Sequence, residues 1–143
     1  MSDPTVAEQL GGAKALEREV HSDLELADAI KEGLSYKVLE HVLESGMLAG
    51  SEAYCIVGSR RSLTRKVKER ATLSPSESDR LARVVRLISR AEEALGDRER
   101  AHRWLRKPNR ALGGRRPLDL LASDVGARTV EQILGRIEQG VYS

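Results

Sequence analysis

The apolar residues of this chain recur mostly at helical spacing, and no stretch of any length alternates in the manner of a strand. The clearest start signal is Ser74-Pro75-Ser76-Glu77, with a capping Ser, a Pro at the first helical position and a Glu at the third. An apolar stripe follows and ends before Gly96: Leu81, Val84, Val85, Ile88, Ala91 and Leu95. The pattern predicts one long helix over about 75–95.

Shorter helices are predicted on both sides of it, most of them between a capping residue and a glycine or proline stop. The first runs from Asp23 to Gly33 and carries Leu24, Ala27 and Ile30. The others lie at 35–46, 53–57, 60–69, 97–108 and 124–139, with a brief helical turn from Pro117. The predicted class is all-α, with a leader at 1–23, a helix-turn-helix unit at 24–72 and a small helical C-terminal domain at 73–143.

The composition disfavours several classes of protein. Aromatic residues make up 3% of the chain, so the core must come from Leu, Val, Ile and Ala. The single Cys55 excludes an internal disulfide, and its apolar surroundings predict a buried, inert thiol. The three histidines are widely separated, and no catalytic or dinucleotide motif occurs, so we expect no metal, no cofactor and no enzyme. Without a signal peptide or long apolar run, the chain is predicted to be cytoplasmic, with no membrane partner.

The charge is strongly segregated although the net charge is only +2. Residues 1–58 hold 4 basic and 11 acidic residues, whereas residues 59–90 hold 10 basic and 3 acidic residues. A basic block of this density is the electrostatic footprint expected of a nucleic-acid contact, and a solvated helix face is the alternative.

A helix-turn-helix pattern lies at the start of this basic block, because two short helices are joined by a tight turn and the second is rich in Arg. On a helix beginning at Arg60, Leu63 and Val67 face inward, and the opposite face is free to enter a major groove. The candidate DNA-contacting residues are Ser59, Arg60, Arg61, Ser62, Thr64, Arg65 and Lys68.

Two positions depart from the usual form of this motif. Val57 stands where the turn usually has Gly, with Gly58 following, and Lys66 stands at the last apolar anchor. A purely structural basic helix is therefore the alternative to a DNA-binding one.

An ordered series of motifs extends from this helix to the C-terminus. They are Ser59 to Lys66, Leu73-Ser74, Glu77 to Leu81, Ala101 to Leu105, Pro108 to Gly114, Pro117 to Leu121, Gly126-Ala127 and Val130 to Gly140. Over about 58–141 this series resembles the Xre/MbcA/ParS-type antitoxins. The resemblance implies an Xre-type helix-turn-helix unit followed by a toxin-binding domain. It also implies a type II antitoxin that inhibits a RES-domain, NAD-consuming toxin and binds operator DNA to repress its own operon. Helix-turn-helix repressors read paired half-sites, so a homodimer is expected.

The candidate toxin-binding residues lie in a loop and at the C-terminal end: Asn109, Arg110, Gly113, Gly114, Arg136, Glu138, Val141 and Tyr142. The two glycines predict a turn with positive φ, and Asp119 is expected to cap or to pair with Arg115 or Arg116. Trp104 is predicted to belong to the core rather than to an interface.

Two other functions stay open at this point. One is a stand-alone helix-turn-helix transcription regulator whose C-terminal domain only dimerises. The other is a small enzyme, which the absence of catalytic motifs disfavours. A neighbouring gene for a small toxic protein would favour the antitoxin over the regulator.

Overall fold

A computed structural model describes residues 5–140 and is all-helical there, without strands. The chain divides into two compact units, Met1–Val85 and Arg86–Ser143. No helix within 5–140 combines the length and apolar character needed to cross a membrane.

Within residues 5–85, the first unit holds six helices and the start of a seventh. The bounds are α1 Val6–Gln9, α2 Gly12–Leu16, α3 Asp23–Glu32, α4 Tyr36–Glu44, α5 Gly50–Ile56, α6 Arg60–Glu69 and α7 Pro75–Leu95. Its core is aliphatic, with Leu39, Leu48, Leu63 and Leu81 at most 1% exposed. The Leu34 backbone helps to close this unit, because its amide donates to Ser78 Oγ at 2.8 Å and its carbonyl accepts from the Leu73 amide at 2.8 Å.

The second unit begins within α7 and contains α8 Arg98–Arg106, two short 3-10 helices and α9 Asp124–Glu138. The 3-10 helices are η1 Arg110–Leu112 and η2 Pro117–Ala122. The core here is formed by fully buried side chains from all the longer elements: Leu87, Ile88, Leu105, Leu118, Leu121, Val130 and Leu134.

Local capping chemistry explains the helix starts. Ser74 Oγ accepts from the Glu77 amide at 3.1 Å while the Glu77 carboxylate accepts from the Ser74 amide at 2.9 Å, which confirms the predicted capping box of α7. Ser59, Asp97 and Ser123 cap α6, α8 and α9 as predicted.

Several predicted side-chain environments were wrong. Cys55 is exposed, because α5 turns Ala53 and Ile56 toward the core and leaves the thiol on another face. Helix α3 is capped by Ser22 rather than Asp23, and its buried residue is Ala29, whereas Leu24 is 75% exposed.

Trp104 and the N-terminal segment also differ from expectation. Trp104 is partly exposed rather than a full member of the core. The weakly patterned leader contains α1 and α2, and it places Leu10 at 0% exposure.

Candidate functional site

The turn between α5 and α6 is built without a left-handed residue. Val57 has φ −94° and ψ −50°, and its side chain is fully buried. Gly is needed at a turn position only where φ is positive. Because φ is negative at Val57, a valine fits there without backbone strain. Gly58 is constrained for another reason: a Cβ on it would lie 2.8 Å from Glu77 Oε2.

The outer face of α6 carries unpartnered polar and cationic groups. Arg61, Thr64 and Lys68 are exposed, and within 5–140 their side chains make no hydrogen bond or ion pair. Arg65 is exposed and pairs loosely with Glu69 at 3.4 Å, while the Arg60 guanidinium lies 5.9 Å from the centroid of the Tyr54 ring. This face is therefore available to an anionic partner.

The two serines of the candidate set have bonds inside the protein. Ser59 Oγ caps α6 by accepting from the Ser62 amide at 3.1 Å. Ser62 Oγ donates to Glu77 Oε2 at 2.6 Å, so its proton is committed to a carboxylate of the same chain.

Glu77 is the centre of a buried polar network beneath α6. Its carboxylate accepts hydrogen bonds from Lys66 Nζ, Ser62 Oγ and the Ser74 amide, and the residue is only 6% exposed. Burial opposes ionisation of this group, but the hydrogen bonds from Lys66, Ser62 and Ser74 prevail and lower the pKa of the Glu77 carboxyl from 4.5 to about 2. The network ties the inner side of α6 to the first turn of α7.

The ion pair of Lys66 with Glu77 was not predicted by the sequence analysis. Lys66 occupies the position of an apolar anchor, with its side chain only 12% exposed and paired with Glu77. The available signal was a cation at a core position together with an acidic residue of the next capping box, 11 residues later.

The loop after α8 is a compact turn closed by Asn109. Its amide donates to the Arg115 carbonyl at 3.0 Å, its carbonyl accepts from the Gly114 amide at 2.9 Å, and its side chain caps η1 by accepting from the Ala111 amide. Gly113 and Gly114 have φ of 67° and 84°, which confirms the predicted positive-φ turn. Asn109 is buried and positions the loop, whereas Arg110 and both glycines are exposed.

Two bidentate ion pairs stabilise the elements around this loop, one at the start of η2 and one between α7 and α9. Arg116 forks onto Asp119 at 3.0 and 2.7 Å, which confirms the predicted Asp119 pairing. Arg90 forks onto Glu138 at 2.7 and 3.1 Å, and this contact raises the pKa of the Arg90 guanidinium. Glu138 therefore holds α9 against α7 in the second unit, while Arg136 is exposed.

Gly126 allows α9 to approach η2. A Cβ at Gly126 would lie 2.1 Å from the Leu120 carbonyl oxygen, too close for any side chain. The predicted toxin-binding residues Val141 and Tyr142 lie outside the described residues.

These features define an all-α protein in which a basic helix-turn-helix is followed by a second small helical domain. Residues 25–86 match the antitoxin Xre-like helix-turn-helix domain. Residues 90–140 match the antitoxin Xre/MbcA/ParS C-terminal toxin-binding domain.

Individual relatives cover most of the chain. A protein named Antitoxin Xre from Yersinia enterocolitica is 36% identical over 120 residues, which are 82% of this chain and 81% of that protein. Proteins of the same name from Pseudomonas putida and Photorhabdus laumondii are 32% and 30% identical. The matches cover 85% and 80% of this chain, and 76% and 78% of those relatives. The chain therefore belongs to the Xre antitoxin family.

Proposed function

We propose that this chain is the antitoxin of a type II pair. It binds and inhibits a RES-domain, NAD-consuming toxin by stoichiometric contact rather than by turnover, and it binds operator DNA as a homodimer to repress its own operon. The observation that carries the proposal is the presence in one chain of a helix-turn-helix domain at 25–86 and a toxin-binding domain at 90–140.

In the DNA-binding half, α6 enters the major groove. Arg61, Thr64 and Lys68 are the contacts that the geometry favours most, because they are exposed and unpartnered within the described residues. Arg65 reaches DNA by exchanging its loose pair with Glu69 for a phosphate or base. Ser59 and Ser62 act chiefly by positioning the helix, since each hydroxyl already has a bond in the protein.

The DNA-binding half is tested by replacing Arg61 and Arg65 with Ala and measuring binding to the promoter region upstream of the coding sequence. Each lost phosphate contact should flatten the slope of log affinity against log salt by about 0.9. A lost base contact should instead relax specificity by about 1–3 kcal/mol.

The matched control replaces Lys14 and Lys31, two exposed lysines outside the candidate helix, and removes the same charge. Equal promoter affinity for the two double variants would refute the role of α6.

In the toxin-binding half, two surfaces of the second unit are proposed to contact the toxin. One is the Asn109-ordered loop, which exposes Arg110, Gly113 and Gly114. The other is the C-terminal end, where Arg136 is exposed and Val141 and Tyr142 follow in the sequence. A pocket for a phosphate-rich substrate is blocked most simply by a protein that covers its mouth and offers polar groups there.

Arg136 is a stronger candidate than Glu138 for direct contact with the toxin. Glu138 would have to release Arg90 to bind the toxin, whereas Arg136 makes no ion pair within 5–140.

The test measures NAD consumption by the toxin, together with binding, after adding intact antitoxin, a variant lacking 140–143, or Arg136→Ala. Arg128→Ala on the same helix is the matched control, because Arg128 is exposed and pairs only locally with Asp124 at 3.3 Å. Weaker inhibition by the truncation and by Arg136→Ala, but not by Arg128→Ala, is expected.

Full inhibition by the truncated protein would instead indicate that the Asn109-ordered loop, rather than the C-terminal end, inhibits the toxin. A stand-alone regulator would show no effect on any neighbouring toxin, although it would still bind the promoter.

A further inference from the structure

Positive charge in this chain is concentrated at a second place besides α6. Residues 98–116, which comprise α8 and the loop after it, hold 8 basic residues and 1 acidic residue in a chain whose net charge is +2. The helix-turn-helix does not account for this stretch, because it lies in the other compact unit.

The structure separates the cations of α8 into two groups. Arg98 approaches Glu92 at 3.9 Å, and Arg106 donates to the His102 carbonyl at 3.1 Å. By contrast, Arg100, Arg103 and Lys107 are exposed, and their side chains have no hydrogen bond or ion pair in the part of the chain that the structure describes. We call these three residues the α8 cationic face.

Helix stability explains only part of the α8 cationic face. Arg100 is the third residue of α8, where the positive end of the helix dipole disfavours a cation. Arg103 in the last turn and Lys107 at the C-cap lie where the negative end of the dipole favours cations, although Arg103 also repels Arg100 one turn earlier. The buried side of the helix is occupied by Ala101 and Leu105, so the three cations add no packing to the core.

We propose that the α8 cationic face binds the phosphate backbone of duplex DNA, independently of sequence and in addition to the contacts of α6. This inference rests on the proposed operator binding. Three unpartnered cations within eight residues match a partner that presents regularly spaced negative charge.

A protein partner fits the α8 cationic face less well. On α8 and its C-cap, 98–107, every exposed residue is charged, and the aromatic Trp104 between these cations is only partly exposed. Protein interfaces usually need apolar or aromatic anchors at their centre.

The test compares full-length wild type with the double variant Arg103→Gln and Lys107→Gln. Binding is measured across a salt series to the promoter duplex and to a random-sequence duplex of equal length. If both phosphate contacts are lost, the slope of log affinity against log salt should flatten by about 1.8 on both duplexes. The loss of affinity between 50 and 200 mM salt should then shrink by about tenfold. The single variant Arg103→Lys, which keeps both positive charges, should retain most of the wild-type slope.

The control variant Lys14→Gln with Lys31→Gln removes the same charge from the first unit and should leave the slope unchanged. The inference is overturned if the α8 variant keeps the wild-type slope, or if it loses toxin binding while its DNA binding is unaltered. Failure of the proposed function looks different, because wild type itself would then show no preference for the promoter.

Discussion

The network under α6 predicts a large loss of stability when the Glu77 charge is removed. Glu77→Gln keeps the size of the side chain but leaves Lys66, only 12% exposed, without its counter-charge. A pKa lowered from 4.5 to about 2 corresponds to about 3 kcal/mol of folding free energy at neutral pH. Removal of one partner from a buried ion pair costs a similar amount, about 3–5 kcal/mol.

The same network makes stability depend on pH in a defined direction. Because folding lowers the Glu77 pKa, its contribution is complete above about pH 4.5 and is lost as the pH falls toward about 2. Between pH 7 and pH 3, Glu77→Gln should therefore lose about 2 kcal/mol less stability than wild type.

Urea unfolding at both pH values measures this effect, with Glu69→Gln as the control. Glu69 belongs to an exposed pair with Arg65, and its replacement should change stability by less than about 1 kcal/mol. The double variant Glu77→Gln with Lys66→Met should recover part of the loss, since no uncompensated charge remains buried. An unfolding free energy and pH dependence of Glu77→Gln equal to those of wild type would refute the reasoning.

Three other predictions follow from single contacts. Gly126→Ala should destabilise the second unit by about 1–3 kcal/mol in thermal unfolding, because its Cβ would collide with the Leu120 carbonyl. Gly135→Ala, with open space around it, is the control, and equal melting points would contradict the packing. Cys55 should react fully with a thiol reagent in the native protein, and a requirement for denaturant would contradict its exposure. Lys66→Met should weaken promoter binding without flattening the salt slope, whereas Lys68→Met should flatten it by about 0.9; equal slopes would show that the two lysines act alike.

The helix ends could be predicted from the sequence because capping is local chemistry. The Ser74 box, Ser59, Asp97 and Ser123 each act within three residues of the helix start, so the sequence contains all the partners. The positive φ of Gly113 and Gly114 is predictable for the same reason.

Burial was harder to predict because it depends on which face of a short helix meets the rest of the protein. Helix α3 presents Ala29 rather than Leu24 to the core, and α5 exposes Cys55, although both helices have apolar residues on more than one side. The Lys66–Glu77 pair escaped prediction for a related reason, because only the tertiary fold brings α6 against the first turn of α7.

The charges of α6 illustrate why residue counts alone misjudge a DNA-binding helix. The helix carries five cations, but they differ in what they can offer to phosphate. Lys66 forms a buried ion pair with Glu77, and Arg65 forms an exposed ion pair with Glu69. Arg61 and Lys68 keep an unpartnered charge toward solvent within the described residues, and Arg60 lies against Tyr54. The buried cation therefore serves to fix the helix, and the outward field that attracts DNA comes from the others, because a paired and desolvated charge contributes little beyond its own site.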